Sequence, residues 1–75
     1  MTTGKVTWFN NSKGYGFLET ADRKNIFVHY TAIVSDEFKT LNENDEVMFD
    51  LYETQKGFSA KNVRKVKWIK LINEN

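Results

Sequence analysis

Lys13-Gly14-Tyr15-Gly16-Phe17-Leu18 is the stretch on which the fold turns. Two glycines alternate with two aromatics behind a lysine. In an extended strand successive side chains point to opposite faces, so Tyr15, Phe17 and Glu19 share one side and Gly16 and Leu18 the other. A carboxylate beside two rings marks the first side as wet. Soluble proteins seldom leave neighbouring rings in water without a use. Bases of single-stranded nucleic acid stack on such rings while a nearby lysine meets the phosphate.

On the N-terminal side, Lys5-Val6-Thr7-Trp8-Phe9 is rich in β-branched and aromatic residues and reads as a first strand. Asn10-Asn11-Ser12 is turn chemistry. The quoted stretch is then a second strand running to about Thr20. After the polar loop Ala21–Asn25 comes a third strand, Ile26-Phe27-Val28-His29-Tyr30. Its alternation puts Ile26 and Val28 on one side and Phe27 and His29 on the other. Pairing strands two and three with their aromatic sides together makes one surface of Tyr15, Phe17, Phe27 and His29. The glycines leave the opposite face open to close packing.

Thr31-Ala32-Ile33 is expected to form one short helical turn with Thr31 as its N-cap. Residues 34–45 are polar and acidic and read as a long loop. Phe38 sits in it as either a core plug or an exposed contact. Val47–Tyr52 reads as a fourth strand with Val47, Phe49 and Leu51 inward, Thr54–Gly57 as a turn, and Ser59–Lys67 as a fifth strand with Val63 in the core. Five short strands with little helix point to an all-β fold, a small five-stranded antiparallel barrel whose closure removes exposed edges.

The 75-residue chain makes one domain. It has no cysteine, so neither disulfides nor a thiolate metal site can staple it. Eleven residues are aromatic, too many for so small a core to hold them all. The net charge of +1 hides a pattern. Residues 1–34 carry a net of +2, residues 35–55 a net of −6 and residues 56–75 a net of +5. Such asymmetry fits a basic face backed by an acidic one, or an ordinary solvated surface. No apolar run follows basic residues at the N-terminus and nothing approaches a membrane span, so a cytoplasmic location is expected.

Gly4-Lys5-Val6-Thr7-Trp8-Phe9-Asn10, Lys13-Gly14-Tyr15-Gly16-Phe17-Leu18 and Ile26-Phe27-Val28-His29-Tyr30 closely resemble the bacterial cold-shock proteins, as does Phe38-Lys39-Thr40-Leu41. The matches keep the family's order and spacing over most of residues 1–66. The resemblance implies an oligonucleotide-binding (OB-fold) barrel that holds single-stranded RNA and DNA and melts weak RNA structure. The second and third motifs correspond to the family's two ribonucleoprotein motifs. The RNA-recognition motif shares the Lys-Gly-aromatic-Gly-Phe pattern. There, however, the aromatic-poor motif comes first and precedes a long helix, the reverse of the order found here.

Three features depart from the family. Thr7 stands where a lysine is usual, Phe58 follows Gly57 where proline is common, and residues 67–75 extend past the usual end. Residues 1–66 are therefore expected to form the cold-shock domain, and 67–75 an extension of undetermined role.

Trp8 has no clean face by alternation, and the resemblance places it on the binding side. Tyr15, Phe17 and Phe27 follow from alternation and resemblance together. A purely structural ring cluster, stabilising the sheet through cross-strand pairs, is compatible with the same residues. His29 has no second metal ligand at suitable spacing, so it is either structural or a base contact. Tyr30, Phe38 and Phe58 are further candidate contacts, and Lys5, Lys13 and Lys56 candidate phosphate contacts.

The expected partner is single-stranded RNA or DNA, with pyrimidine-rich strands favoured because they self-stack weakly. It would be bound by a monomer, with no membrane, metal or cofactor. The rival expectation is a protein-interaction module, or a dimer, built on the apolar and basic Trp68–Ile72 tail. An enzyme finds little support, with one histidine, no cysteine and no phosphate-binding glycine loop.

Overall fold

Three hairpins and a parallel seam build the barrel. A computed structural model of the protein describes residues 1–34 and 39–66; Phe38 and the 67–75 tail, both singled out above, lie outside them. The strands are β1 (Thr2–Asn10), β2 (Tyr15–Glu19), β3 (Asn25–His29), β4 (Glu46–Thr54) and β5 (Gly57–Lys65). They close in the order β1-β2-β3-β5-β4. The pairs β1–β2, β2–β3, β1–β4 and β4–β5 are antiparallel, and the seam between β3 and β5 runs parallel, through Ile26↔Phe58 and Phe27↔Ser59. The expected five-stranded antiparallel barrel is found, with this one parallel seam. With five strands joined in this order, β3 and β5 meet running the same way.

Alternation holds where it was read. Leu18, Ile26, Val28, Val47, Phe49 and Val63 are fully buried, while Tyr15, Phe17, Phe27 and His29 lie on the outer face. Ala60 and Ile33 complete the lining, and Ile33 forms a bridge with Val63. The polar segment after the third strand contributes more than a connection, since Leu41 is 1% exposed and belongs to the core. Asn44 donates from its backbone N–H to the Val6 carbonyl at 2.8 Å, and Val6 donates to that of Asp45 at 2.9 Å, tying this loop to β1.

Three local features differ from expectation. The third strand ends at His29, and Tyr30 opens a 3-10 turn, Tyr30–Ala32. Its N-cap is His29 rather than Thr31: from an extended backbone, the His29 ring accepts from the Thr31 N–H. The third feature is a register shift in β1 between Val6 and Trp8. Without it, Val6 and Trp8 would share the inner face. The extra residue turns Trp8 outward beside Phe17 and returns Phe9 toward the core. A bulge of this kind re-aims side chains.

Candidate nucleic-acid interface

The outer face of β1–β3 is built from cross-strand neighbours. Phe17 pairs with Trp8 on one side and Phe27 on the other, and Tyr15 pairs with His29. The rings meet in a closed four-membered patch. Trp8 is edge-on to Tyr15, with centroids 5.5 Å apart, and nearly parallel to Phe17 at 6.5 Å. Tyr15 is nearly parallel to Phe27 at 6.1 Å, and Phe27 is edge-on to Phe17 at 5.9 Å. These spacings lie in the range where aromatic pairs attract, so the cluster also stabilises the sheet. Yet the rings do not bury one another: Trp8 is 40% and Phe27 38% exposed.

Two glycines make this geometry attainable. Gly16 lies under the β1 bulge, where an added Cβ would stand 2.2 Å from the Trp8 carbonyl oxygen. Gly14 adopts φ +78°, the left-handed region, and an added Cβ would meet the Tyr30 ring at 2.6 Å. The Thr7 hydroxyl donates to the Phe17 carbonyl at 3.1 Å, holding the bulge against β2.

His29 and Tyr30 extend the patch past Tyr15. Their rings are 4.7 Å apart. His29 Nδ1 accepts from the Thr31 N–H at 3.3 Å and lies 2.9 Å from the Thr31 hydroxyl. In the neutral ring, with Nδ1 used as an acceptor, the proton sits on Nε2. The Tyr30 N–H donates to the Gly14 carbonyl at 2.8 Å, bringing the start of the 3-10 turn against the β1–β2 turn. Lys13 sits in that turn, its N–H donating to Asn10 Oδ1 at 2.9 Å.

The remaining candidates fall at the margins. Lys5 is on the same sheet face but pairs with Glu19 and Glu46 in register, so carboxylates flank it. Lys56 lies in the β4–β5 turn and lines a recess of about 450 Å³ together with Phe17, Phe27 and Phe58. Phe58 is half-buried and packs on the core. Lys24, which nothing in the sequence had marked, places Nζ 4.7 Å from the Phe58 ring centroid. Its position depends on the parallel β3–β5 seam.

The charge blocks do not become opposite faces. Asp50 pairs with Lys61, Val47 with Lys65 and Met48 with Arg64, and Lys65 Nζ is 3.6 Å from Asp45. Much of the C-terminal positive charge is thus set beside the acidic β4, because β4 and β5 are hairpin partners. Among the described residues no cluster of metal-ligating side chains occurs, and no helix is long and apolar enough to cross a membrane.

Comparison with known proteins agrees with this geometry. The sequence model of the "Cold-shock" DNA-binding domain matches residues 2–66. The cold shock protein CspB of Bacillus caldolyticus is 50% identical over 66 residues, covering 88% of this chain and all of that protein. The cold shock protein CspD of Bacillus subtilis is 48% identical over 66 residues, with the same coverage. In structure, the Drosophila Unr CSD456 chain superimposes with a TM-score of 0.72 at 21% identity, over 99% of this chain and 28% of that one; at that identity the likeness shows the fold alone. A five-stranded closed barrel carrying an exposed ring patch, matched by this family over its whole domain, belongs to the cold-shock family of nucleic-acid-binding proteins.

Proposed function

We propose that the protein binds single-stranded RNA and DNA across the Trp8–Tyr15–Phe17–Phe27 patch and acts as an RNA chaperone, keeping transcripts unpaired without nucleotide hydrolysis. The observation that carries this is the four-ring patch on the outer face, with Trp8 and Phe27 exposed and Tyr15 and Phe17 half-buried. Each base stacked on such a ring contributes roughly 1–3 kcal/mol. Three or four stacks, less the cost of ordering a flexible strand, suit micromolar to nanomolar affinity. Every base has a stacking face, so sequence preference is modest and leans to pyrimidines. One chain supplies every ring of the patch, so a monomer suffices. Lys13 and Lys56 meet phosphates at opposite margins, and the His29 Nε2–H meets a base edge. A cytoplasmic site of action follows from the same reading, since transcripts are there.

The test is a titration with oligothymidine followed by tryptophan fluorescence. The chain has two tryptophans, so a Trp68→Phe background isolates Trp8. Binding should quench Trp8, weaken as salt rises with a logarithmic slope of about −0.7 per phosphate contacted, and weaken roughly 5- to 100-fold in Phe17→Ala. Absence of quenching at low salt, or equal affinity in Phe17→Ala, refutes the proposal.

A further inference from the structure

A cleft lies beyond the ring patch, between the start of β1, the β2–β3 loop and the start of β4. It measures about 370 Å³, and its walls carry Thr3, Lys5, Glu19, Thr20, Arg23 and Glu46. No aromatic side chain lines it, so it offers a base nothing to stack on. Its equipment is charge. Lys5 stands between Glu19 and Glu46 in the β2–β1–β4 register, and Arg23 joins them from the loop between β2 and β3. Among the described residues, no ion pair or side-chain hydrogen bond takes up Lys5, Glu19 or Arg23.

Arg23 adopts φ 65°, in the left-handed region, which suits glycine and not a long side chain. Thr20 holds the loop in that form. The Arg23 N–H donates to the Thr20 carbonyl at 2.9 Å, the Lys24 N–H donates to the Thr20 hydroxyl at 3.2 Å, and that hydroxyl donates to Asp22. The chain thus keeps a guanidinium at the cleft where glycine would serve the turn better.

The cleft adjoins the patch. Glu19 follows Phe17 by two residues on the outer face of β2, about 7 Å along the strand, so a strand stacked on the rings brings its next backbone unit to the cleft. Lys5 and Arg23 suit a phosphate, arginine through its planar fork. The half-buried Glu19 carboxylate accepts hydrogen bonds and donates none, which suits a hydroxyl. A phosphate beside a hydroxyl, with no ring to stack, describes a ribose phosphate, and the 2′-hydroxyl is the group that separates RNA from DNA. Two cations and two carboxylates balance, so the cleft adds discrimination more than attraction.

We propose that this cleft takes the ribose phosphate next to the stacked bases: Lys5 and Arg23 hold its phosphate, and Glu19 accepts from its 2′-hydroxyl. The interface then prefers RNA to DNA. This rests on reading the ring patch as a single-strand site.

The test titrates the full chain with octauridine RNA and with octadeoxyuridine, which differ only in the 2′-hydroxyl, over a range of salt. Glu19→Val, Arg23→Gly and Phe17→Ala are compared with the parent. Glycine suits the backbone at position 23, so a fold defect does not mimic lost binding. The parent should bind the RNA roughly 5-fold or more tighter than the DNA. Glu19→Val should bring the two affinities level by weakening RNA binding alone, and Arg23→Gly should reduce the salt slope by about 0.7. Equal parent affinity for the two strands, an RNA preference that survives Glu19→Val, or an unchanged slope in Arg23→Gly each overturns the inference. If Phe17→Ala still loses affinity in those cases, the patch reading stands; if Phe17→Ala binds as the parent does, both fall. Free ribose 5-phosphate, added while backbone amide shifts are followed by NMR, identifies the source of the ligand. Micromolar binding at Lys5, Glu19 and Arg23, with no RNA preference between the two strands, would make the cleft a small-molecule site and overturn the inference.

Discussion

Replacing Gly16 with alanine tests how the ring patch is held. The added Cβ would stand 2.2 Å from the Trp8 carbonyl oxygen, 2.6 Å from Phe9 Cδ1 and 2.7 Å from Phe9 Cα. Two of those atoms are backbone, so no rotamer change relieves the contact. β1 must lift from β2 at its bulge, which strains the bond from Thr7 to the Phe17 carbonyl and displaces Trp8 from Phe17. Overpacking of this kind costs about 1–3 kcal/mol, occasionally more. A clash against backbone belongs at the upper end of that range. The smaller conformational entropy of an unfolded chain with alanine returns about 0.4–1 kcal/mol. A net loss of about 2 kcal/mol results, a large part of the roughly 4–11 kcal/mol expected for a domain of this size. Urea denaturation reads it directly. With a slope of about 1 kcal/mol per molar, the midpoint should fall by about 2 M, and oligothymidine affinity should fall even where the variant is folded. A midpoint within about 0.3 M of the parent would refute the claim that β1 closes against Gly16.

Phe49 is fully buried at the centre of the core, so Phe49→Ala should lose about 3–5 kcal/mol, read as a matching drop in the urea midpoint, and leave the chain largely unfolded at 37 °C. Thr7→Lys places a cation beside Trp8; it should steepen the salt slope by about 0.7 and tighten binding several-fold at low salt, while loss of the exposed bond to Phe17 costs about 1 kcal/mol or less. The Asp22 carboxyl is held below its ordinary value, first by the Thr20 hydroxyl; desolvation opposes this, and Lys24 and backbone N–H groups add to the lowering. Its stabilising contribution is therefore present above the unfolded pKa near 3.8 and is lost as pH falls through the lower folded value. Stability measured from pH 5 down to pH 2 should show a small acid-dependent loss that is missing in Asp22→Asn.

Much of the candidate interface is legible in the chain because period-two alternation survives wherever a strand runs without interruption. Tyr15 and Phe17, Phe27 and His29, and the inward Val47, Phe49 and Leu51 all follow from it. Trp8 does not, because its face depends on a bulge, and a bulge is a property of two paired strands. Leu41 escaped for a different reason: one apolar residue in a polar loop carries no period, and only the closed barrel shows that it fills a gap. The His29 cap was missed because threonine is the commoner capping residue, and both lie within reach of the turn. Lys24 meets Phe58 only through the parallel seam, which joins segments about thirty residues apart and leaves no local trace. The charge blocks misled because hairpin partners bring an acidic and a basic segment together in space.

The claim at the centre is that single-stranded nucleic acid lies on the Trp8–Tyr15–Phe17–Phe27 patch. Aromatic proton shifts recorded by NMR while hexathymidine is added test it most directly, since a stacked base imposes a large ring-current shift on the ring beneath it. Trp8, Tyr15, Phe17 and Phe27 should all shift strongly, while Tyr52, an exposed ring on β4 beside Lys61, should not move. Shifts concentrated at Tyr52, with the four patch rings unchanged, would contradict it.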